Sequence, residues 1–214
     1  MPPRRILPKP YVKPHPAMWY AAGNTSSYEM AARRGLGVLG FSVQSLEELG
    51  PVLKAYKDVI GDAEPIGAFV NDNVMVTTSA WVAEDVDRAV HSAVESRMAY
   101  LNSNVFRYHD TFPHPDWVPT WPELLPEPTE EMLRATVGTG GTVLGNPDHA
   151  LAACRRWEEA GADQLVFALF VAPHDSALET IRLLGEHVIP KLDTDPEHRT
   201  TRFRREAAAK TARA

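Results

Sequence analysis

The fold is decided by the stretch Pro14-His15-Pro16-Ala17-Met18-Trp19-Tyr20-Ala21-Ala22-Gly23-Asn24-Thr25-Ser26-Ser27-Tyr28-Glu29. Its short apolar run, bounded by proline and glycine, predicts a buried strand over 18–22. Ser26 followed by Glu29 is the pattern of a capping box, so we predict that a helix begins there. The polar residues between strand and helix would then lie beside free helix amides, an arrangement that favours anions.

The residues of this turn are compatible with two interpretations. In the first, the turn holds the phosphate of a cofactor, and the residues in reach of it are Gly23, Asn24, Thr25, Ser26 and Ser27. In the second, it is an ordinary capped turn without a ligand, because capping boxes are common.

Composition and charge exclude several classes of protein. The chain has 214 residues, of which 44% are hydrophobic and 23% charged, as in a globular domain with a substantial core. The net charge of -6, with no basic stripe before the C-terminal tail, argues against nucleic-acid binding. No stretch approaches the ~20 apolar residues of a membrane span. Cys154 is the only cysteine, so we expect no disulfide, no cysteine-based zinc site, no other metal and a cytoplasmic location.

Strand and helix patterns alternate along the chain. Apolar or β-rich runs predict strands over 18–22, 36–41, 66–70, 74–78 and 165–171, the third and fourth runs being one strand interrupted by Asn71-Asp72-Asn73. Helical periodicity predicts helices that begin near Ser26, Ser45, Glu84, Asn146 and Ser176. This alternation is typical of an α/β fold with a parallel sheet. The strand count reaches four, whereas a closed (β/α)8 barrel needs eight strands.

Two regions depart from the alternation. Residues 107–128 are rich in aromatic residues and proline and predict a long ordered loop of the kind that covers functional sites. From Thr194 the chain is polar and basic, and we expect a flexible tail over 194–214. The domain organisation is therefore one domain over 1–193 followed by this tail.

Five segments together resemble the C-terminal half of a luciferase-like flavin-dependent monooxygenase. They are Lys13-Pro14-His15-Pro16 leading into Met18-Trp19-Tyr20-Ala21-Ala22-Gly23, Tyr28-Glu29-Met30-Ala31-Ala32-Arg33-Arg34-Gly35-Leu36-Gly37-Val38, Leu144-Gly145-Asn146-Pro147-Asp148, Glu158-Glu159-Ala160-Gly161-Ala162-Asp163-Gln164-Leu165, and Leu183-Leu184-Gly185-Glu186-His187-Val188-Ile189-Pro190. Their order and spacing match the family across 8–190.

The resemblance implies a fold, a cofactor and a reaction. The fold is a partial (β/α)8 TIM barrel, with the last four βα units forming an open half-barrel. The cofactor is reduced FMN, or the deazaflavin F420 in its place, and the substrate is a small organic molecule. In relatives the loop after the fifth strand contributes to the phosphate end of the flavin site, and that loop corresponds to Gly23 to Ser27. The family's first four βα units, which supply much of the ring pocket, have no counterpart before Pro8.

Other residues are weaker candidates. Gly40, Phe41 and Ser42 follow the second strand. They would either face the flavin ring or the substrate, or form a turn at the edge of the hydrophobic core. His174, beside Asp175, follows the last strand and is a candidate general acid or base, with a capped surface turn as the favoured alternative. Asn71 to Asn73 are interpreted as a β-bulge rather than a hydrogen-bonding site. The remaining weak candidates are His109 and His114 with Asp110 and Asp116, the glycine-rich run 138–145, and the tail residues Arg199, Arg202, Arg204 and Arg205.

Two hypotheses about function follow. The first is a flavin-dependent monooxygenase or oxidoreductase, with the oxygen chemistry supplied by the cofactor. The alternative is a non-catalytic half-barrel that binds flavin weakly or pairs with another chain. In either case an open sheet exposes edges and an apolar face, so we expect self-association or a partner chain that supplies the missing half.

Overall fold

The computed structural model describes residues 7–41, 46–96, 114, 116, 118–139, 141–169 and 172–211. Five strands form one sheet: β1 Trp19–Ala22, β2 Gly37–Phe41, β3 Val74–Val82, β4 Val143–Gly145 and β5 Gln164–Ala168. The strand order is β1-β2-β3-β4, these neighbours are parallel, and β5 pairs with β3. Within the described residues β1, β4 and β5 each pair with one neighbouring strand, so the sheet is open, as the sequence predicts.

The helices follow the strands along the chain. They are α1 Thr25–Arg33, α2 Leu46–Ile60, α3 Val86–Glu95, α4 Glu130–Arg134, α5 Pro147–Glu159, α6 His174–Leu183, α7 Ile189–Leu192 and α8 Arg199–Thr211, with a π-helical turn at Leu184–Val188 between α6 and α7. The fold is thus an α/β arrangement of parallel strands and flanking helices.

The chain divides into two compact units, and the division falls within β3 and within β5. The first unit comprises 1–77, 158–165 and 195–214, and the second comprises 78–157 and 166–194. The core of the first unit lies where α1 and α2 pack together. Its largest fully buried side chains are Tyr28, Val38, Leu53, Tyr56, Val74 and Val76.

The core of the second unit forms around α3 and β4. Its buried members are Ala83, Ala89, Val90, Ala93 and Leu144, with Trp81, Val86, Leu133 and Val137 packed against them. Helix α6 is joined to the same unit through Thr180, whose hydroxyl accepts a hydrogen bond from the Val82 amide at 3.0 Å and donates to the Val82 carbonyl at 3.2 Å. This buried side chain meets the hydrogen-bonding needs of the strand end.

Helical periodicity predicted the apolar face of α2 well. Leu46, Leu49, Leu53, Tyr56 and Ile60 are all buried, because they recur at the three- and four-residue spacing of one helix face. The predicted end of α1 is also confirmed. Gly35 follows the helix with φ 65°, a left-handed conformation that lets its amide donate to Ala32 and that glycine adopts without strain.

Three strand predictions are wrong. Residues 66–69 form bends and residue 70 is irregular, so no strand forms over 66–70. His15 stacks on Phe69, and the Ala68 amide donates to His15 Nε2 instead of to a neighbouring strand. The three-residue strand β4 was not among the four predicted strands, because the sequence indicated only a turn leading into Val143. Strand β5 ends at Ala168 and leaves Val166 43% exposed, so within the described residues it is not buried on both faces.

The predicted helix caps are partly wrong. The N-cap of α1 is Asn24, with Ser27 as its capping-box partner, so Ser26 and Glu29 are not the pair. Helix α6 begins after Pro173 and has no side-chain cap, which removes the predicted pairing of Ser176 with Glu179. Asn146 does cap α5, as predicted, by accepting from the amides of Asp148 and His149. The predicted cap Ser45 lies outside the described residues.

Candidate functional site

The turn from β1 into α1 is held by its own side chains. The Asn24 side chain accepts a hydrogen bond from the Ser27 amide at 3.0 Å. The Ser27 hydroxyl accepts from the amides of Gly23 and Asn24 at 3.3 and 3.2 Å and donates to the Asn24 carbonyl at 2.7 Å. The turn is therefore pre-formed, and three of its five amides already have partners.

Two amides of the turn remain open. Among the described residues, the amides of Thr25 and Ser26 have no hydrogen-bond acceptor, and both residues are exposed. They are the first two residues of α1, where the helix dipole is positive and amides point outward. The Ser26 hydroxyl already donates its proton to Asn24 Oδ1 at 2.8 Å, so the open donors of the turn are the two amides. The donor set is suited to a phosphate or another anion.

The neighbouring strand end is closely packed beneath the turn. Ala22 of β1 is in register with Gly40 of β2. A Cβ on Gly40 would lie 2.3 Å from the Tyr28 hydroxyl and 3.2 Å from the Met75 carbonyl oxygen. Tyr28 is the first buried residue of α1, so Gly40 lets this helix approach the sheet. Gly40 thus has a packing role, while Ser42 and the side chain of Phe41 lie outside the described residues.

A substitution at Gly40 tests this packing. We expect Gly40→Ala to lower the free energy of unfolding by about 1–3 kcal/mol, because the new methyl group would overlap the hydroxyl of Tyr28, a fully buried side chain. Tyr28→Phe removes that hydroxyl, so the double variant should recover most of the loss. Urea denaturation of the wild type, both single variants and the double variant measures the coupling. Additive losses would contradict the contact.

Asn71 and Asn73 form a buried hydrogen-bonding turn, and the predicted β-bulge is wrong. The Asn71 side chain donates to the Met18 carbonyl at 3.0 Å and accepts from Asn73 Nδ2 at 2.6 Å. The Tyr56 hydroxyl lies 3.1 Å from the Asn71 carbonyl and 2.9 Å from the Leu36 carbonyl. Burial, reinforced by the nearby carboxylates, raises the pKa of Tyr56, so the phenol stays protonated as a donor. No strand precedes these residues, and hence no bulge can form.

Sequence reasoning missed an ionic cluster in the first unit. Lys57 Nζ lies 2.6 Å from Asp72 Oδ1 and 2.7 Å from Asp163 Oδ2. Arg199 pairs with Asp163 and lies 3.5 Å from Asp72 Oδ2. Asp163 also accepts from the Val74 amide at 2.8 Å. The partners are too distant in sequence to show any periodic or local signal, and Lys57 to Asp163 spans 106 residues.

The position of this cluster indicates a structural role. Val74 is the first residue of β3, and Asp163 directly precedes β5. The cluster therefore lies at the amino ends of these strands, whereas active sites of parallel α/β folds lie beyond the carboxyl ends. The turn after β1 is at a carboxyl end. Within the first unit, the two sets of polar groups thus occupy opposite ends of the strands.

The other predicted candidates are not assembled into one site. His174 is the exposed first residue of α6 and Asp175 follows it, as expected of a surface turn. In the run 138–145, Gly138 ends a turn with φ 71° and Val143 begins β4, so the segment after the turn is a strand that the sequence did not predict. His109 and Asp110 lie outside the described residues. Burial raises the pKa of the Cys154 thiol to about 11, which keeps it protonated.

The described residues hold neither a metal-ligand cluster nor a membrane-spanning helix. No group of three or more His, Cys, Asp or Glu side chains there could hold a metal ion. Nor does that part of the chain contain a helix with the length and apolar character needed to cross a bilayer.

Solved structures share this fold. Monooxygenase RslO1 from Streptomyces bottropensis is 21% identical, with a TM-score of 0.58 over 86% of this chain and 51% of that one. The oxygenating constituent of 3,6-diketocamphane monooxygenase from Pseudomonas putida, in complex with FMN, is 14% identical, with a TM-score of 0.55 over 85% and 50%. The coenzyme F420 dependent tetrahydromethanopterin reductase from Methanopyrus kandleri is 17% identical, with a TM-score of 0.50 over 82% and 50%.

These likenesses concern the fold and about half of each neighbour. The chain spans roughly half the length of the solved structures it matches. The sequence matches no protein-family model and no curated protein sequence. The predicted resemblance is therefore confirmed at the level of the fold: the chain shares its open parallel α/β architecture with about half of each of these neighbours.

Proposed function

We propose that this chain provides the phosphate-binding part of a luciferase-like flavin-dependent oxidoreductase. The observation that carries the proposal is the turn after β1, where the amides of Thr25 and Ser26 are exposed, open and at a helix N-terminus. Neighbours of the same fold include one solved in complex with FMN and one that depends on coenzyme F420. Both cofactors carry phosphate groups that these amides would hold.

The residues present fit a phosphate rather than a metal or a neutral group. The amides of Thr25 and Ser26 are open donors at the turn, and the Asn24–Ser27 capping box fixes the backbone that presents them. A Cβ on Gly23 would meet nothing within 4 Å, so the space beside the turn is open to a ligand. When bound, a reduced flavin would supply the oxygen chemistry of a monooxygenase acting on a small organic substrate. The chain's contribution would be to position the cofactor's phosphate end.

Titration of FMN and of F420 into the purified chain tests the proposal. We expect saturable binding of one of the two cofactors, observed as quenching of its fluorescence. Denatured chain at the same concentration serves as the control. Absence of binding for both cofactors, in a chain that is folded by circular dichroism, would favour the alternative of a half-barrel that is non-catalytic by itself.

The open sheet leads to a prediction about assembly. Among the described residues, strand β1 pairs only with β2 and Tyr20 on it is 39% exposed, so the other edge of β1 presents unpaired backbone groups and apolar surface there. We propose that this edge associates with a second copy or with a partner chain that supplies the other βα units. Light scattering should show a mass above that of the single chain, or loss of soluble protein on concentration. A stable monomer at high concentration would contradict this expectation.

A further inference from the structure

Helix α8 is fastened to the first unit mainly at its beginning. Its first residue, Arg199, pairs with Asp163 and Asp72, and the Arg199 guanidinium lies 5.7 Å from the centre of the Phe203 ring. The following residue, Thr200, is buried. From Arg205 to Lys210 every side chain except that of Ala207 is exposed. Residues 202–204 are half-buried, and Arg202 and Arg205 pair with Asp195 and Glu197, which directly precede the helix. Among the described residues, the ion pairs that join α8 to the strands and α2 are therefore those of its first residue, Arg199.

The ionic cluster can lose Arg199 and remain satisfied. It contains two carboxylates, Asp72 and Asp163, and two cations, Lys57 and Arg199. If Arg199 leaves, Lys57 still bridges both carboxylates at 2.6 and 2.7 Å. Asp163 also keeps its hydrogen bond from the Val74 amide. After the departure of Arg199 the two carboxylates share the Lys57 ammonium, so each keeps a cationic partner and the sheet and α2 need not unfold.

We propose that α8 is a detachable strap. When the ionic strength rises, the whole helix separates from Asp72 and Asp163, while the rest of the first unit stays folded. The Arg199 side chain is 40% exposed and the Asp163 side chain 10%, so salt can reach the cation and weaken its pairs. Helices held by few apolar contacts open locally well below the free energy of global unfolding. Detachment would uncover the carboxylates at the amino ends of β3 and β5, away from the turn after β1.

Hydrogen exchange measured by mass spectrometry tests the strap. The wild type is compared at about 20 and about 500 mM NaCl, between which the Debye length falls from about 20 to about 4 Å. We expect exchange of the α8 amides to accelerate about tenfold at high salt, as expected for loss of a charged hydrogen bond. Amides of β3 and α2 should not change.

Variants of Arg199 separate the ionic contact from other effects. In Arg199→Gln, the α8 amides should exchange at low salt as fast as those of the wild type do at high salt. In Arg199→Lys, the exchange rate should be intermediate because the side chain keeps its charge. Arg204→Gln is the matched control, since in the described part of the chain the Arg204 guanidinium makes a hydrogen bond only to the Thr201 hydroxyl, at 3.5 Å. Equal exchange of α8 in Arg199→Gln and Arg204→Gln would overturn the proposal. So would opening of β3 together with α8, because the helix would then not be an independent unit.

Discussion

Asp163→Ala is expected to lower the free energy of unfolding by about 3 kcal/mol. The carboxylate is only 10% exposed and accepts hydrogen bonds from Lys57 and from the Val74 amide at 2.7 and 2.8 Å, besides pairing with Arg199. Its loss leaves a strand amide without an acceptor and two cations sharing one remaining carboxylate. Because both cations are partly exposed, water relieves some of this penalty. The free energy of unfolding should therefore fall by an amount near the low end of the range for a broken buried ion pair.

Two further variants make the measurement specific. Asp163→Asn keeps an acceptor for the Val74 amide but removes the charge, so its loss should be smaller. Asp58→Ala is the control, because Asp58 pairs with Lys54 at 2.7 Å on the exposed surface of α2, where an ion pair contributes about 0–1 kcal/mol. Urea denaturation gives the free energies. Equal losses for Asp163→Ala and Asp58→Ala would show that the cluster does not stabilise the first unit.

Ser26→Glu is expected to abolish binding of a phosphate-bearing flavin. Ser26 is the second residue of α1, so the new carboxylate would lie where the phosphate is proposed to sit and would repel it. A charge-assisted phosphate contact contributes about 1.5–3 kcal/mol, and this variant would lose that contact and add repulsion. The expected fall in affinity is therefore at least about 100-fold. The double change of Thr25 and Ser26 to alanine keeps the amides and should cause only a partial loss.

The fold of the Ser26→Glu variant should remain intact. An acidic side chain in the first turn interacts favourably with the helix dipole, and the Asn24–Ser27 capping box does not use the Ser26 side chain as its acceptor. Thr201→Glu, at an exposed position of α8, adds the same charge away from the turn. Isothermal titration of both variants with FMN and with F420 provides the comparison. If both bind the cofactor like the wild type, the phosphate lies elsewhere.

Local patterns in the sequence predicted most of the fold. The spacing of apolar residues identified α2, and Asn146 with Pro147 identified the start of α5, because both signals act within one or two helical turns. The strand predicted over 66–70 failed because a distant histidine, His15, takes the hydrogen bond and the ring contact there. A composition rich in β-formers cannot reveal such a tertiary contact.

The candidate site was predictable only in part. The sequence predicted the turn after β1 but placed the helix N-cap at Ser26. The N-cap in the structure is Asn24, because asparagine is a strong N-cap and its side chain reaches the Ser27 amide. The ionic cluster was not found at all. Its members come from four separate segments, and Arg199 was assigned to a tail whose flexibility stays a prediction. Only the folded chain brings these side chains together.

The ratio of riboflavin to FMN dissociation constants tests the central claim most directly. Riboflavin carries the same ring as FMN but no phosphate, so the ratio isolates the phosphate contact. We predict that the wild type binds FMN about 10- to 100-fold more tightly than riboflavin, as expected for one charge-assisted contact. In Ser26→Glu, FMN should bind no more tightly than riboflavin. A wild-type ratio near one, or a wild-type ratio that persists in Ser26→Glu, would contradict the assignment of the phosphate to the turn between β1 and α1.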